Sequence, residues 1–151
     1  MASFIGDYLC KIDSKGRVMF PAALKKQMPV TVGGRFVVKK DIYEKCLILY
    51  TLDEWEKQNE LIRSRLNPYN KEHSRFLRAY FRGTAEVALD ASNRLLLPKR
   101  LLGLAGIVKE VYLSGQDKKI EIWAKEMYEM DAIEEDKFAN LAENILGGAD
   151  L

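Results

Sequence analysis

The 151-residue sequence predicts a mainly β protein with helices, an α+β fold built by duplication. Three observations carry this. Residues 4–24, FIGDYLCKIDSKGRVMFPAAL, return at 81–101 as FRGTAEVALDASNRLLLPKRL with a constant offset of 77. Phe, Gly, Asp, Arg, Pro and Leu match identically in that register, including the frame D-x-x-x-R-x-x-x-P. Short β-branched and aromatic runs bounded by turn residues recur in both halves. Helical patterns follow them.

In chain order, a strand is expected at 8–12, a turn at 13–16 and a strand at 17–20. A helical turn or short helix follows from Pro21, and another from Pro98, because the first helical turn has no use for the missing N–H. Gly33-Gly34 and Gly115 mark turns. RFVVKK (35–40) and CLILY (46–50) read as strands, and VYLSG (111–115) and KIEIW (119–123) are their looser counterparts. Thr51-Leu52-Asp53-Glu54 has the form of a capping box, and Trp55, Ile62 and Leu66 continue at helical spacing until Asn67-Pro68. Further helices are expected over about 71–80 and about 136–146, the latter carrying Phe138, Leu141 and Ile145. Trp55, Trp123, Phe36 and Tyr50 read as core or protomer-interface residues, and His73 as an exposed helix residue.

One half of about 50 residues buries too little apolar surface to stand alone. Two halves pairing about a pseudo-twofold axis share one barrel-like core and place the two D-x-x-x-R turns in related positions.

Composition narrows the function. Hydrophobic residues are 48% and charged residues 30%, the balance of an ordinary globular chain. No apolar run approaches the roughly 20 residues of a membrane span, and residues 1–11 lack a secretory pattern. Cys10 and Cys46 form no CxxC pair, which fits a reducing cytoplasm. A single histidine leaves no Cys/His zinc set, so neither metal nor other cofactor is expected. The usual nucleotide-binding and nucleophile motifs are absent, and no enzyme activity is expected. The net charge of +2 hides an asymmetry. Residues 1–40 hold eight Lys or Arg against two acids, and residues 124–151 hold two against eight. A basic end suggests a polyanionic partner.

Asp13-Ser14-Lys15-Gly16-Arg17 is where chemistry is expected. An aspartate opens a turn by accepting backbone N–H bonds, and a glycine supplies positive φ. Arg17 either pairs back to Asp13 or points outward beside Lys15 as a cationic tip able to enter a DNA major groove. In the second turn, Asp90 to Arg94, no residue matches Lys15. Asn93 replaces Gly16, which is coherent because Asn tolerates the left-handed region. Asp13, Gly16, Asp90 and Asn93 therefore read as turn-structural. Lys15, Arg17, Lys11, Lys25 and Lys26 read as DNA-binding, with Arg94 a weaker candidate. Lys39 and Lys40 are further possible phosphate contacts. Arg75, Arg78 and Arg82 read as a solvated helix face or an oligomer contact.

The duplicated turn, the F-x-G at each half's start, P-A-x-L after the first turn and the L-x-I-W-like strand before a helix resemble the MraZ family over roughly residues 4–130. The resemblance implies two SpoVT-AbrB-type repeats, at 4–53 and 81–126. A helical connector at 54–80 and a helical tail at 127–151 complete the chain. It implies an AbrB-like swapped-hairpin, double-psi-type β-barrel with flanking helices. It also implies a cytoplasmic, nucleoid-associated regulator that binds double-stranded DNA at direct repeats in a promoter region. The family forms ring-shaped homo-oligomers and commonly represses its own division and cell-wall gene cluster. The alternative is a protein-interaction or antitoxin-type module without operator recognition of its own.

Overall fold

The structure, a computed structural model, describes residues 2–147. The first repeat forms β1 (Phe4–Lys11), β2 (Arg17–Met19), α1 (Ala22–Lys26), β3 (Arg35–Lys40) and β4 (Leu47–Thr51). Two helices follow, α2 (Leu52–Ser64) and α3 (Lys71–Phe81). The second repeat forms β5 (Ala85–Ala88), β6 (Arg94–Leu96), α4 (Lys99–Leu104), β7 (Glu110–Asp117) and β8 (Lys119–Ala124). It too is followed by two helices, α5 (Lys125–Asp131) and α6 (Glu135–Leu146).

Six strands form an antiparallel sheet in the order β1-β7-β8-β4-β3-β5, and β2 pairs with β6. The order reads the same backwards when the repeats are exchanged. Each repeat gives its first strand to the other: β1 pairs with β7, from Phe4↔Asp117 to Lys11↔Glu110, and β5 pairs with β3. The bridges Ile12↔Val18 and Leu89↔Leu95 join β1 to β2 and β5 to β6. The eight strands thereby close into a circuit without a free edge, which removes the hazard of unpaired edge strands. The pairs Val18↔Leu95 and Ile48↔Glu121 are their own counterparts and mark the pseudo-twofold axis.

The core follows the same symmetry. Val18, Leu24, Phe36, Val38, Leu47 and Leu49 are fully buried, as are their counterparts Leu95, Leu101, Val111, Leu113, Ile120 and Ile122. Phe36 corresponds to Val111 and Leu47 to Ile120, so the offset falls from 77 to 75 and then 73. The first repeat is longer before β3, where Val30–Val32 form a 3-10 turn, and in the loop 41–46. This is why the second parts of the halves match only loosely by sequence. Where β1 and β7 cross, Gly6 faces Gly115, and a Cβ on Gly115 would lie 2.6 Å from the backbone nitrogen of Ile5.

Some local expectations shift. β1 begins four residues earlier than position 8, because its partner lies in the other repeat. Pro21 and Pro98 occupy the extended residue just before α1 and α4 rather than their first turn. The α5 helix was not expected from its seven residues. Thr51 caps α2 by accepting from the Glu54 N–H at 3.3 Å. Trp55 is half-buried and stacks on Tyr80 with ring centroids 5.9 Å apart, which folds α3 back onto α2. His73 is more than a surface residue: its Nδ1 accepts from the Asn67 N–H at 2.8 Å and fixes the α2–α3 turn.

Candidate nucleic-acid interface

The two turns are built alike. Asp13 Oδ1 accepts from the backbone N–H of Lys15 and of Arg17, each at 2.9 Å, and its Oδ2 accepts from Arg17 Nε at 2.7 Å. Asp90 Oδ1 accepts from Ser92 and Arg94 N–H at 2.9 Å, and its Oδ2 accepts from Arg94 Nε at 3.0 Å. The residue before each arginine has positive φ: Gly16 at +89° and Asn93 at +60°. A carboxylate accepting several such bonds is stabilised in its charged form. The Arg17 backbone N–H, aided by the Arg17 guanidinium and the Lys15 N–H, holds the Asp13 carboxyl down at about 2. Asp90 is lowered for the same reasons, chiefly by the Arg94 N–H.

Each arginine therefore pairs back to its aspartate. This does not exhaust the guanidinium. Only the Nε edge is engaged, and neither Nη takes a hydrogen bond among the described residues. The Nη pair is the end that reads guanine O6 and N7. A buttressed arginine is preorganised, so less rotamer entropy is lost when it binds.

The β2–β6 ribbon puts both arginines on one face. Val18 and Leu95 point into the core, and alternation turns Arg17, Met19, Arg94 and Leu96 the other way. Met19 is 54% and Leu96 56% exposed. From the pairing Met19↔Arg94, the two arginine Cα atoms lie about 8 Å apart, two residues along at about 3.3 Å each and one strand across at about 4.8 Å. The major groove of B-DNA is about 12 Å wide. The apolar pair Met19 and Leu96 escaped the sequence reading. The signal was present, because the offset of 77 places one on the other.

The basic candidates divide. Lys11, Lys15 and Lys26 are exposed and form no ion pair among the described residues. Lys25 reaches into the other repeat and donates from Nζ to Asn93 Oδ1. The second turn, which lacks a lysine of its own, thus receives one from the first repeat, and the strand exchange that does this is invisible in a linear reading. The backbone N–H groups of Phe20 and Leu97 donate to Asn93 and Gly16 carbonyls at 2.9 and 2.8 Å, binding each turn to the opposite repeat. Lys39 and Lys40 do not join this surface. Lys39 is 4% exposed, lies 4.2 Å from the Tyr80 ring centroid and donates to the Lys40 carbonyl at 3.1 Å. Lys40 Nζ donates to the carbonyls of Asp41 and Glu44. The strand alternation that buries Val38 from one face leaves Lys39 on the other, and there α3 covers it. Arg35 is occupied by Glu86 at 2.9 Å. No group of three or more His, Cys, Asp and Glu able to hold a metal occurs among the described residues. None of their helices is long and apolar enough to cross a membrane.

Fold and site define a twin-repeat, strand-exchanged β-barrel that displays two buttressed Asp–Arg turns on one exposed ribbon. A family model described as "MraZ protein, putative antitoxin-like" matches the chain twice, over residues 3–79 and 80–147. The chain is 42% identical to the transcriptional regulator MraZ of Christiangramia forsetii, over 99% of this chain and 97% of the relative. It is 40% identical to that of Flavobacterium psychrophilum, over 97% and 94%, and 35% identical to that of Bacteroides fragilis, over 97% and 92%. The chain belongs to the MraZ family, and its barrel is the AbrB-like fold that the resemblance implies.

Proposed function

We propose that this protein is a sequence-specific DNA-binding transcriptional regulator. It acts as a repressor at direct repeats upstream of its own division and cell-wall gene cluster, in the cytoplasm at the nucleoid, as a ring-shaped homo-oligomer. The observation that carries the DNA reading is the ribbon face, where two oriented arginines flank two exposed apolar side chains. Such a face offers donors to guanine and methyl-sized contacts to thymine. Arg17 reads bases, Arg94 adds to it more weakly, and Lys15, Lys11, Lys25 and Lys26 hold phosphates, which fix register without carrying sequence. The relatives' shared name, transcriptional regulator, supports the same reading.

One ribbon offers few base contacts, so a single protomer binds weakly. A ring that aligns several ribbons with repeated boxes gains about 10²–10⁴ in apparent affinity when the spacings match. Fluorescence anisotropy with the protein's own upstream region, intact and with one direct repeat removed, tests this across a salt series. A large loss on removing one repeat is expected. Equal binding to both, falling steeply with salt, refutes it. The second reading, a partner-binding module, draws on the family description "antitoxin-like". Co-purification of a stoichiometric small protein, with no DNA binding, is its signature.

A further inference from the structure

The helical extensions are unequal. Both leave the barrel directly from a central strand, α2 from β4 and α5 from β8. Those strands are antiparallel neighbours, so the extensions emerge at opposite ends of the pair. In the first extension, α3 folds back and its Tyr80 stacks on Trp55 of α2. In the second, α6 has no such partner. Phe138, Leu141 and Ile145 recur on one face and are 63%, 48% and 69% exposed. No residue of α6 is buried. An apolar stripe of this kind marks a contact surface.

The complementary surface lies on the other extension. Ser74, Leu77, Arg78, Phe81 and Arg82 fall along one stripe of α3 and line a groove of about 620 Å³. A second groove of about 340 Å³ continues it past Leu77 and Ser74 to Leu66 and Arg63. Residues 63–82 hold six cations against one acid, whereas residues 134–146 hold four acids against one lysine. The lengths also match: α6 has 12 residues and α3 has 11, so each spans about 16–18 Å.

We propose that α6 of one copy docks its Phe138, Leu141 and Ile145 face into the α3 groove of a second copy. Glu134, Glu135, Asp136 and Glu143 then lie against Arg75, Arg78 and Arg82. The proposal deepens the oligomeric part of the proposed function and rests on that part, but it requires nothing of DNA. Because the two surfaces differ and sit at opposite ends, the contact is heterologous. Repeating it gives a closed ring if the rotation closes and an open filament if it does not. Charge complementarity sets the partner, and like-charged pairs of α6 with α6 or α3 with α3 are disfavoured.

The test uses full-length variants at exposed positions and analytical ultracentrifugation without DNA. Phe138→Asp with Leu141→Asp disables α6; Arg78→Glu with Phe81→Asp disables the α3 groove. Each variant alone is expected to be a monomer with wild-type circular dichroism. Mixed one to one, they are expected to form a dimer and nothing larger, since each retains one working surface. A monomeric wild type, a variant that keeps the wild-type mass, or a mixture that stays monomeric would overturn the proposal. Unfolding of the α3 variant is excluded as a cause by Arg78→Glu alone, which is expected to weaken assembly and to be restored by Glu135→Arg. Weak DNA binding by a wild type that assembles, and whose variants behave as stated, sinks the DNA reading and leaves this contact standing.

Discussion

Replacing Gly16 by alanine tests the turn most sharply. Gly16 has φ of +89°, well into the region that L side chains avoid. Holding an alanine there costs about 1–2 kcal/mol. Space is short as well. The new Cβ would stand 2.8 Å from the Leu97 carbonyl oxygen, inside the 3.0 Å that Cβ contacts respect. The crowded atom belongs to backbone, and the Leu97 N–H is itself bonded to the Gly16 carbonyl at 2.8 Å. Relieving the contact therefore stretches that bond, whose net value is about 1 kcal/mol. The sum is about 2–3 kcal/mol. In a domain of this size that lowers Tm by roughly 5–10 °C. Asn93, the counterpart, already carries a Cβ at φ of +60°. Asn93→Ala keeps that Cβ and loses only the Asn preference for the left-handed region and the Lys25 contact, so about 1 kcal/mol is expected. Thermal and urea unfolding followed by circular dichroism compares the two. A Gly16→Ala midpoint within about 1 °C of wild type, or a smaller loss than Asn93→Ala, would refute the reasoning.

Acid should loosen both turns. The Asp13 and Asp90 carboxyls lie below their ordinary value of 3.8 when folded, so their contribution is complete above that value and is lost as pH falls toward about 2. Urea midpoints measured between pH 5 and pH 2 should fall more steeply for wild type than for Asp13→Asn with Asp90→Asn (window from the same linkage). Lys39→Met should be at least as stable as wild type, because a buried ammonium is replaced by a side chain of similar volume, and its DNA binding should be unchanged. Lys15→Ala should instead leave stability intact and reduce the slope of log affinity against log salt by about 0.9. Met19→Ala with Leu96→Ala should weaken binding to a thymine-containing operator by about 1–3 kcal/mol and little on a uracil-substituted copy; equal losses on both would remove these residues from methyl contact.

The offset of 77 made half of this molecule legible. It located both turns, matched the core residues Val18 and Leu95, and required a shared interior. It did not show which strands pair, because exchange of β1 and β5 between repeats is a long-range choice that leaves no local periodicity. Three errors or gaps descend from that. The length of β1 was underestimated, Lys39 was left at the surface although α3 covers it, and the second turn was read as lacking a lysine although Lys25 arrives from the first repeat. Residue chemistry within a turn was easier. The Asp-x-x-x-Arg spacing left two orientations open for Arg17, and the bond from Nε to Asp13 joins them: the side chain is tied at one edge and open at the other. The α6 pattern was legible as a helix, but a helix with an apolar face says only that something covers it. The missing fold-back partner became visible when the two extensions were compared.

The central claim is that the buttressed arginine reads sequence. The direct measurement is an anisotropy titration of wild type and Arg17→Ala on the protein's own upstream region and on a scrambled copy at fixed salt. Wild type should prefer its own region, and Arg17→Ala should lose about 1–3 kcal/mol per engaged site on that region while binding the scrambled copy nearly as before. Equal losses on both DNAs, or no preference in wild type, would contradict the account.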